Sequence, residues 1–594
     1  MTSTALRPAC LIILRAHREI SFQAPDSCRV SEVSMRTRVR TIVEEALEEA
    51  GLVGERPPVE AGTFVVERPK DPSHGDLATN VALVLARPLR KSPRDLAEAI
   101  QPRLETHRDV FESVEVAGPG FINFRLAGAL LRDGLRAILV AGPDYGRSSV
   151  GRGRPVQVEF VSANPTGPLH VGHGRGAAVG DVLASMLEAA GFAVQKEYYI
   201  NDVGSQMDAL GLSTYGRYCQ ELGRDEPLPD DGYKGAYISD IARRIIERDG
   251  PAHLDKDKSA VLPTFTAFAA ETLLGGIEAD LGDFGVAYDR WFSEDSLFKS
   301  GRVDRALDAL EEAGYLYERD GARWFKSSAL GDEKDRVVVR EDGRPTYLAS
   351  DIAYHQEKYE RGFKTVIDVW GADHHGHIPR ISAAMKALGH DPDSLHIVLV
   401  QFVTLLRGGE PVAMSTRAGE FVTLREVMDE VGRDAARFFF LMRSSDSHLD
   451  FDLELAKQKT SENPVFYVQY AHARICSIMR EALTRRVALP ETASADLEPL
   501  QMPQERALMV TLLRFEELVV DAAQAYEPHR LVFYLQELAA QFHQYYNLGN
   551  TEPAFRVLGP DTAVTAARIV LVQAVRQVLA NALGLLGVSA PEAM

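Results

Sequence analysis

Apolar residues change their spacing several times along the chain, and each change predicts an element. From Met35, residues Val39, Ile42, Val43, Ala46, Leu47 and Ala50 recur at helical intervals and stop at Gly51. A strand-like Thr63–Glu67 follows, then the turn Pro69-Lys-Asp-Pro-Ser-His-Gly-Asp76. Helices are predicted over Leu77 to about Ala86 and over Pro93–Leu104. Strands are predicted over Val114–Ala117 and Phe121–Leu126, around Gly118-Pro-Gly120. Residues 35–140 thus read as a small α+β domain, in which His74 is either a turn residue capping a helix or a ligand contact.

After Pro155 the period falls to two. Val156, Val158, Phe160 and Val161 predict a strand, which ends in Ser162-Ala-Asn-Pro-Thr-Gly-Pro-Leu-His170-Val-Gly-His173-Gly-Arg-Gly176. A helix through Val179, Val182, Leu183, Met186 and Leu187 runs to Gly191, and Ala193–Ile200 reads as a second strand. This is a βαβ unit whose glycine-rich loop lies at the carboxyl end of its first strand, where open α/β sheets bind ligands. A second unit is predicted from the strand Val366–Trp370, the loop Gly371–His377, a helix Ile378–Leu388 stopped by Gly389, and a strand His396–Thr404. Between them, about 201–345 reads as an insertion rich in aromatic and acidic residues. From Leu453 onward the pattern is almost wholly helical.

Composition narrows the class. A chain of 594 residues exceeds the roughly 250–300 at which one core stops growing, so several domains are expected. With 45% apolar and 25% charged residues it reads as an ordinary globular protein. No stretch approaches the ~20 apolar residues of a membrane helix. A net charge of −19 argues against a protein that coats nucleic acid, while leaving room for a local basic groove. Cys10, Cys28, Cys219 and Cys476 form no CxxC pair, which points to a reducing cytoplasm. In residues 1–34 the only apolar run, Cys10–Leu14, is too short for a signal segment of about 7–15 residues. That stretch reads as a disordered leader, a misplaced start, or a short regulatory arm.

His170 and His173 stand three apart where a loop enters a helix, so both imidazoles fall on one face near its N-terminus. Little side-chain bulk surrounds them, and the helix end favours anionic oxygens. Two imidazoles there can donate to a phosphoryl group as its charge develops. A pair without a partner, or a pair of metal ligands, has the same spacing. Asp373-His-His-Gly-His377 also invites a metal reading, but adjacent positions in one loop rarely converge on one ion. Substrate binding at the end of a strand is the better expectation.

The run Ser162–His173 resembles the HIGH signature of class I aminoacyl-tRNA synthetases, with Val171 in place of isoleucine. Its longer context is similar to the arginyl-tRNA synthetase form. Tyr199-Ile-Asn-Asp-Val-Gly204, Trp291-Phe-Ser-Glu294, Thr346–His355, Trp370–His375, Met414–Gly419 and Asn463–Arg474 agree with that family, over about Met35–Met594. The resemblance implies a multidomain α/β protein: a Rossmann-type class I catalytic domain (141–452) split by the insertion, an α+β N-terminal tRNA-binding domain (35–140), and an all-α anticodon-binding domain (453–594). It implies an arginine–tRNA ligase, which forms arginyl-adenylate from arginine and ATP and passes the arginyl group to the terminal adenosine of tRNA(Arg). Another amino-acid specificity and a non-catalytic tRNA-binding paralogue are the alternatives.

Carried onto this chain, the resemblance makes His170 and His173 catalytic and places ATP against Gly167, Leu169, Gly172 and Gly174. It places arginine against Ser162, Asn164, Glu294, Tyr347, Asp351 and His374. The roles of Glu294, Tyr347 and Asp351 also make physical sense, because a guanidinium offers five planar donors and a permanent charge. Asp351 taken alone reads rather as a charge at a helix N-terminus, a preference that the Tyr347/Asp351 spacing inside a matching segment reverses. Tyr467, Tyr470 and Arg474, at helical spacing, would hold unpaired tRNA bases, although aromatic stripes also simply pack. Magnesium would enter with ATP, without a structural metal, in a cytoplasmic monomer with no membrane partner. The family's second signature, KMSK, is here Ala413-Met414-Ser415-Thr416, so both lysines are missing. Met414, Ser415 and Thr416 remain on the ATP side, and Arg417 becomes the candidate cation for the pyrophosphate end.

Overall fold

A computed structural model describes residues 34–52, 64–412 and 421–594. Residues 1–33, including Cys10 and Cys28, lie outside them. Ser34 is the N-cap of α1 (Met35–Glu49), its hydroxyl accepting from Thr37 N, and so belongs to the helix rather than to a leader. Next come β1 (Val66–Glu67), β2 (Leu77–Thr79), α2 (Val81–Leu89), α3 (Pro93–Leu104), β3 (Phe111–Ala117) and β4 (Phe121–Leu126). The strands form an antiparallel sheet in the order β1-β2-β4-β3. The helix expected from Leu77 begins only at Val81. Leu77, Ala78 and Thr79 are all buried and pair with β4, so a short ladder wins over helical periodicity. α4 (Gly128–Ala141), which the sequence assigns to this unit, instead packs on C-terminal helices introduced below, with Gly134 against Leu513.

The next elements are β5 (Pro155–Phe160), α5 (Val171–Ala189), β6 (Ala193–Ile200), α6 (Ser205–Glu221), α7 (Ala236–Asp249), α8 (Lys258–Asp283) and β7 (Arg290–Ser293). Then follow α9 (Asp295–Lys299), α10 (Arg302–Glu312), β8 (Leu316–Arg319), β9 (Ala322–Phe325), β10 (Arg336–Val339), α11 (Tyr347–Glu360), β11 (Thr365–Gly371), α12 (Ile378–Ala387) and β12 (Leu395–Val400). Five strands make a wholly parallel sheet, β12-β11-β5-β6-β7. The chain winds outward from β5 in both directions, which opens a crevice at the carboxyl ends of β5 and β11. β7 lies inside the stretch read as one insertion. That stretch is therefore two excursions, α6–α8 and α9–β10, separated by a four-residue edge strand too short to announce itself.

The strand expected over His396–Thr404 is also divided. β12 ends at Val400, and β13 (Val403–Arg407) joins β14 (Glu410–Pro411) and β15 (Leu449–Asp452) in a separate sheet, β14-β13-β15. At the break, the carbonyls of Gln401, Ser444 and Ser447 all accept from the fully buried guanidinium of Arg175 on α5, at 2.8–2.9 Å. α13 (Leu424–Val431), α14 (Arg433–Phe440) and α15 (Leu453–Lys457) surround this small sheet, and α16 (Pro464–Thr484), α17 (Pro503–Leu513), α18 (Phe515–Ala525), α19 (His529–Thr551) and α20 (Thr562–Leu585) complete the chain. Contrary to the sequence reading, α8 and α20 are long and apolar enough to span a membrane. α20 is a core helix, packed against α4, α16 and α19, and α8 lays Val261 to Leu273 along its own unit and Ile277 and Leu281 on the main core.

One buried row of charge crosses the parallel sheet. Asp368 of β11, Glu159 of β5, Glu197 of β6 and Arg290 of β7 are consecutive register partners. α11 lies over this row. Its Lys358, wholly buried, reaches Glu159 Oε2 at 2.6 Å and Asp368 Oδ1 at 2.7 Å. Arg361 reaches Glu197 at 2.6 and 2.9 Å, and the Tyr354 hydroxyl donates to Glu197 at 2.7 Å. His355 spans from the Asp351 carbonyl (2.7 Å) to Asp368 Oδ2 (2.8 Å). Burial works against the Asp368 charge, yet Lys358 and His355 outweigh it and hold the carboxyl at about 2; burial raises Glu159.

Removing Lys358 would leave buried Glu159 without its cation and Asp368 with His355 alone, which costs about 3–5 kcal/mol. Lys358→Met is therefore expected to lower the unfolding free energy of the catalytic unit, measured by urea titration, by that much. A loss below about 1 kcal/mol, within the range of surface substitutions, would sink the idea that this row is held by Lys358.

Candidate active site

At the end of β5 the chain turns sharply upward. Val161 and Ser162 both adopt left-handed backbone, with φ of 69° and 43°. Side chains from flanking elements sustain this costly conformation. Ser162 Oγ donates to Glu159 Oε1 at 2.8 Å and accepts from Tyr199 N at 3.1 Å. Tyr288 and Tyr198 donate their hydroxyls to the carbonyls of Phe160 and Ala163, at 3.0 and 2.7 Å. The loop that follows is thereby anchored to the charged row beneath it through Glu159.

His170 is the N-cap of α5 and His173 its third residue. His170 Nδ1 accepts from the backbone N–H of Gly172 (3.1 Å) and His173 (3.3 Å), while His173 Nδ1 accepts from His170 N (3.3 Å). The two rings stack with centroids 3.6 Å apart. Both Nδ1 atoms being acceptors, the neutral rings carry their proton on Nε2, and among the described residues that N–H has no acceptor. Burial lowers both groups, His173 to about 3; Asp373 pulls His170 the other way without reversing the shift. Close packing explains the small residues. A Cβ on Gly174 would lie 2.7 Å from Leu424, one on Gly172 3.0 Å from the His170 ring, and one on Gly167 3.2 Å from the Tyr237 hydroxyl. Leu169 is buried, and its carbonyl accepts from Leu424 N.

The chain passes His170 again after the second signature. Thr423 bridges to His170, Val171 N donates to Val422 O, and Phe421 stands edge-on to the His170 ring. Met414, Ser415, Thr416 and Arg417 lie outside the described residues.

A cavity of about 730 Å³ opens over the carboxyl ends of β5, β6 and β11. Ser162, Asn164, Glu294, Tyr347, Asp351 and His374 all line it. Glu294 follows β7 directly and is buried. With its amide turned to suit its neighbours, Asn201 donates to Glu294 Oε2 at 3.0 Å. Burial, reinforced by Asp351 and opposed by the Ser350 and Tyr199 hydroxyls, pushes the Glu294 carboxyl up to about 7. Asp351 sits in the second turn of α11 rather than at its start, so it is not a helix-end charge. Its Oδ2 lies 2.9 Å from His377 Nε2. Tyr347 opens the same helix and is 51% exposed, its hydroxyl lying over Gly204.

Sequence reasoning missed Tyr199, Asn201, His377 and Arg380 as lining residues. His377 was within view as the last histidine of its loop, but only the fold shows it three-dimensionally beside Asp351. Among the described residues, no group of three or more His, Cys, Asp or Glu is disposed to hold a metal ion. Asp373, His374 and His375 are exposed along a turn that faces the cavity from one side.

A second cavity, about 660 Å³, lies among the C-terminal helices. Tyr470 and Arg474 line it, with the guanidinium of Arg474 held between the rings of Tyr470 (4.4 Å) and Tyr546 (4.6 Å). Arg474 donates to His543 Nδ1 at 2.9 Å, and His543 Nε2 donates to the Tyr467 carbonyl at 3.0 Å. Tyr467 does not line this cavity; its ring packs on His543, 4.5 Å between centroids.

Three family models match the chain. The arginyl tRNA synthetase N-terminal domain covers residues 37–126, the class I (R) tRNA synthetase catalytic domain covers 134–230 and 283–463, and the DALR anticodon-binding domain covers 468–594. The arginine–tRNA ligase of Syntrophotalea carbinolica is 52% identical over 94% of this chain and 100% of its own length. That of Halorhodospira halophila is 50% identical, with the same coverage. The structure of Thermus thermophilus arginyl-tRNA synthetase aligns with a TM-score of 0.72 at 27% identity, over 94% of this chain and all of that one. With all three domain models matched in order, and relatives about 50% identical over their whole length, this chain belongs to the arginine–tRNA ligase family of class I aminoacyl-tRNA synthetases.

Proposed function

We propose that this chain activates arginine with ATP and transfers the arginyl group to the 3′-terminal adenosine of tRNA(Arg). The observation that carries this reading is the joining of two features in one crevice. Glu294 and Asp351 line a cavity at the mouth of the sheet, and the Nε2–H groups of His170 and His173, without an acceptor among the described residues, stand at the neighbouring helix end.

In the first step a carboxylate oxygen of arginine attacks the α-phosphorus of ATP, and the bond to the leaving pyrophosphate breaks. Negative charge grows on the α-phosphoryl oxygens, where His170 and His173 donate without first having to lose or gain a proton. Gly167, Leu169, Gly172 and Gly174 supply a close backbone approach for the nucleotide. The guanidinium is read by Glu294, Asp351 and the Tyr347 hydroxyl, while Ser162, Asn164 and His374 serve the α-amino and carboxylate end. Arg417 takes the pyrophosphate end, with Met414, Ser415 and Thr416 on the ATP side. Magnesium accompanies ATP, its ligands drawn mainly from phosphate and water. In the second step a ribose hydroxyl of the terminal adenosine attacks the arginyl carbonyl carbon and AMP leaves.

Tyr470 and Arg474 offer a stacked surface for unpaired tRNA bases, with Tyr467 supporting them through His543. The N-terminal unit completes the tRNA contacts. A cytoplasmic monomer completes the reading; the buried thiols Cys219 and Cys476, unpaired among the described residues, support its reducing compartment.

ATP–pyrophosphate exchange with each amino acid, with and without tRNA(Arg), tests the reading; turnover restricted to another amino acid would overturn it. His170→Ala and His173→Ala are each expected to slow activation at least ~100-fold with arginine affinity nearly unchanged, the pattern of lost transition-state donors. Equal losses in rate and affinity would assign the pair to ground-state binding or folding.

Arginine affinity should also depend on pH. Burial pushes the Glu294 carboxyl up to about 7, and a bound guanidinium demands its charged form. Below that pH, binding must first expel a proton, so the apparent Kd for arginine is expected to rise about tenfold from pH 8 to pH 6. The Asp351 carboxylate and the His377 imidazole face the same space. Calorimetry in buffers of different ionisation enthalpy should show proton release on binding near pH 7, and Glu294→Gln should abolish it. Release that persists undiminished in Glu294→Gln would move the titration to another group.

A further inference from the structure

The excursion α6–α8 forms a three-helix unit with its own apolar cluster, built around Leu210, Tyr218, Ile238 and Phe265. Residues 231–282 of this unit fall outside the stretch matched by the catalytic family model. The unit nevertheless reaches the loop between β5 and α5 at two points. Gln206, at the start of α6, accepts from Asn164 Nδ2 at 2.5 Å. Tyr237, in the first turn of α7, donates its hydroxyl to the Thr166 carbonyl at 2.9 Å. At the far end of the same unit, Asp280 and Asp283 pair with Arg425 of α13, which follows the strand segment bridged to His170. The inserted helices thus hold both chain segments that flank His170.

Tyr237 is built for this contact at both of its ends. One side of its ring lies against Gly235, where a Cβ would come within 2.4 Å of ring carbon Cε1. Its hydroxyl lies over Gly167, where a Cβ would be 3.2 Å away. Gly235 has φ near −60°, so glycine is required there for room and not for backbone freedom. Between Ala163 and Leu169 the loop has a single internal backbone hydrogen bond, from Thr166 N to Asn164 O at 2.7 Å. The orientation of the Thr166 peptide, and with it the approach to Gly167 and His170, is therefore set from outside. We propose that Tyr237 is a positioning residue for the nucleotide-binding loop, through which the inserted helical unit fixes the place of ATP. This inference rests on reading residues 162–173 as the nucleotide site.

The test uses the full chain in tRNA aminoacylation with ATP or arginine varied. Tyr237→Phe removes one hydroxyl and leaves the ring, so the KM for ATP is expected to rise about three- to tenfold, the worth of one hydrogen bond. The KM for arginine and the melting temperature should stay at wild-type values. Gly235→Ala, which pushes the ring off its seat, should raise the KM for ATP similarly. The double variant should be no worse than the single ones, because both changes remove one contact. An unchanged KM for ATP in Tyr237→Phe, multiplying effects in the double variant, or parallel rises in both KM values with a lowered melting temperature would each overturn the proposal. His170→Ala separates the two levels. If it is inactive while Tyr237→Phe matches wild type, only this inference falls; if it keeps full activity, the nucleotide-site reading falls.

Discussion

The acidic row beneath the crevice constrains everything above it. Three carboxylates on adjacent parallel strands cannot be buried without cations, and nearly all of those cations come from one helix. Lys358 has to sit between Glu159 and Asp368, and Arg361 has to reach Glu197. These demands fix the axial position and rotation of α11 against the sheet. Asp351 lies seven residues before Lys358, two turns along the same face, and Tyr347 lies a further turn out. A helix held by its buried end therefore delivers a carboxylate and a phenol to the cavity at its other end. The same row also steadies the opposite wall, since Glu159 accepts from Ser162 while it binds Lys358.

The histidine pair applies a similar economy at the start of α5. A helix N-terminus has unsatisfied N–H groups, and here two imidazole Nδ1 atoms satisfy them in a reciprocal cap. That use fixes the tautomer of both rings. The capping interaction and the proposed chemical role are then one arrangement: the backbone occupies Nδ1 and leaves Nε2–H for a substrate. Burial keeps the rings neutral, so the donors stay in one state across the physiological range.

Much of this was legible in the residues because it depends on local spacing. HxxH after a glycine-rich loop, and Tyr347/Asp351 one turn apart, are patterns that a helix enforces wherever it sits. The parts that were not legible depend on distant partners. Leu77–Thr79 reads as helix until β4 pairs with it, β7 is four residues long, and the break at Gln401 exists because Arg175 collects three carbonyls there. His377 and Lys358 gave no sequence signal of their role, since each is defined by a residue 26 or 10 positions away that only the fold brings close. The α20 core helix failed the eye for the opposite reason: its alanines dilute an apolar face that neighbouring helices cover on nearly all sides.

The same logic of buried cations joins the separate units of the chain. Arg437 of α14 is fully buried and donates to three places: Asp181 on α5, the Phe284 carbonyl just beyond α8, and the Leu586 carbonyl just beyond α20. The catalytic helix, the inserted helical unit and the last helix of the C-terminal domain thus end on one guanidinium. Gly587 is needed where they meet, because a Cβ there would lie 2.5 Å from Arg437 Nη2. A few residues on, Ser589 bonds Asp434 of α14 and Gln469 of α16. The C-terminal segment is therefore not an appendage of the helical domain. It crosses from the buried guanidinium beside α5 towards the cavity lined by Tyr470, Arg474 and Met594, so any shift of α20 along its axis has to be taken up at Arg437, beside the helix that carries the two histidines.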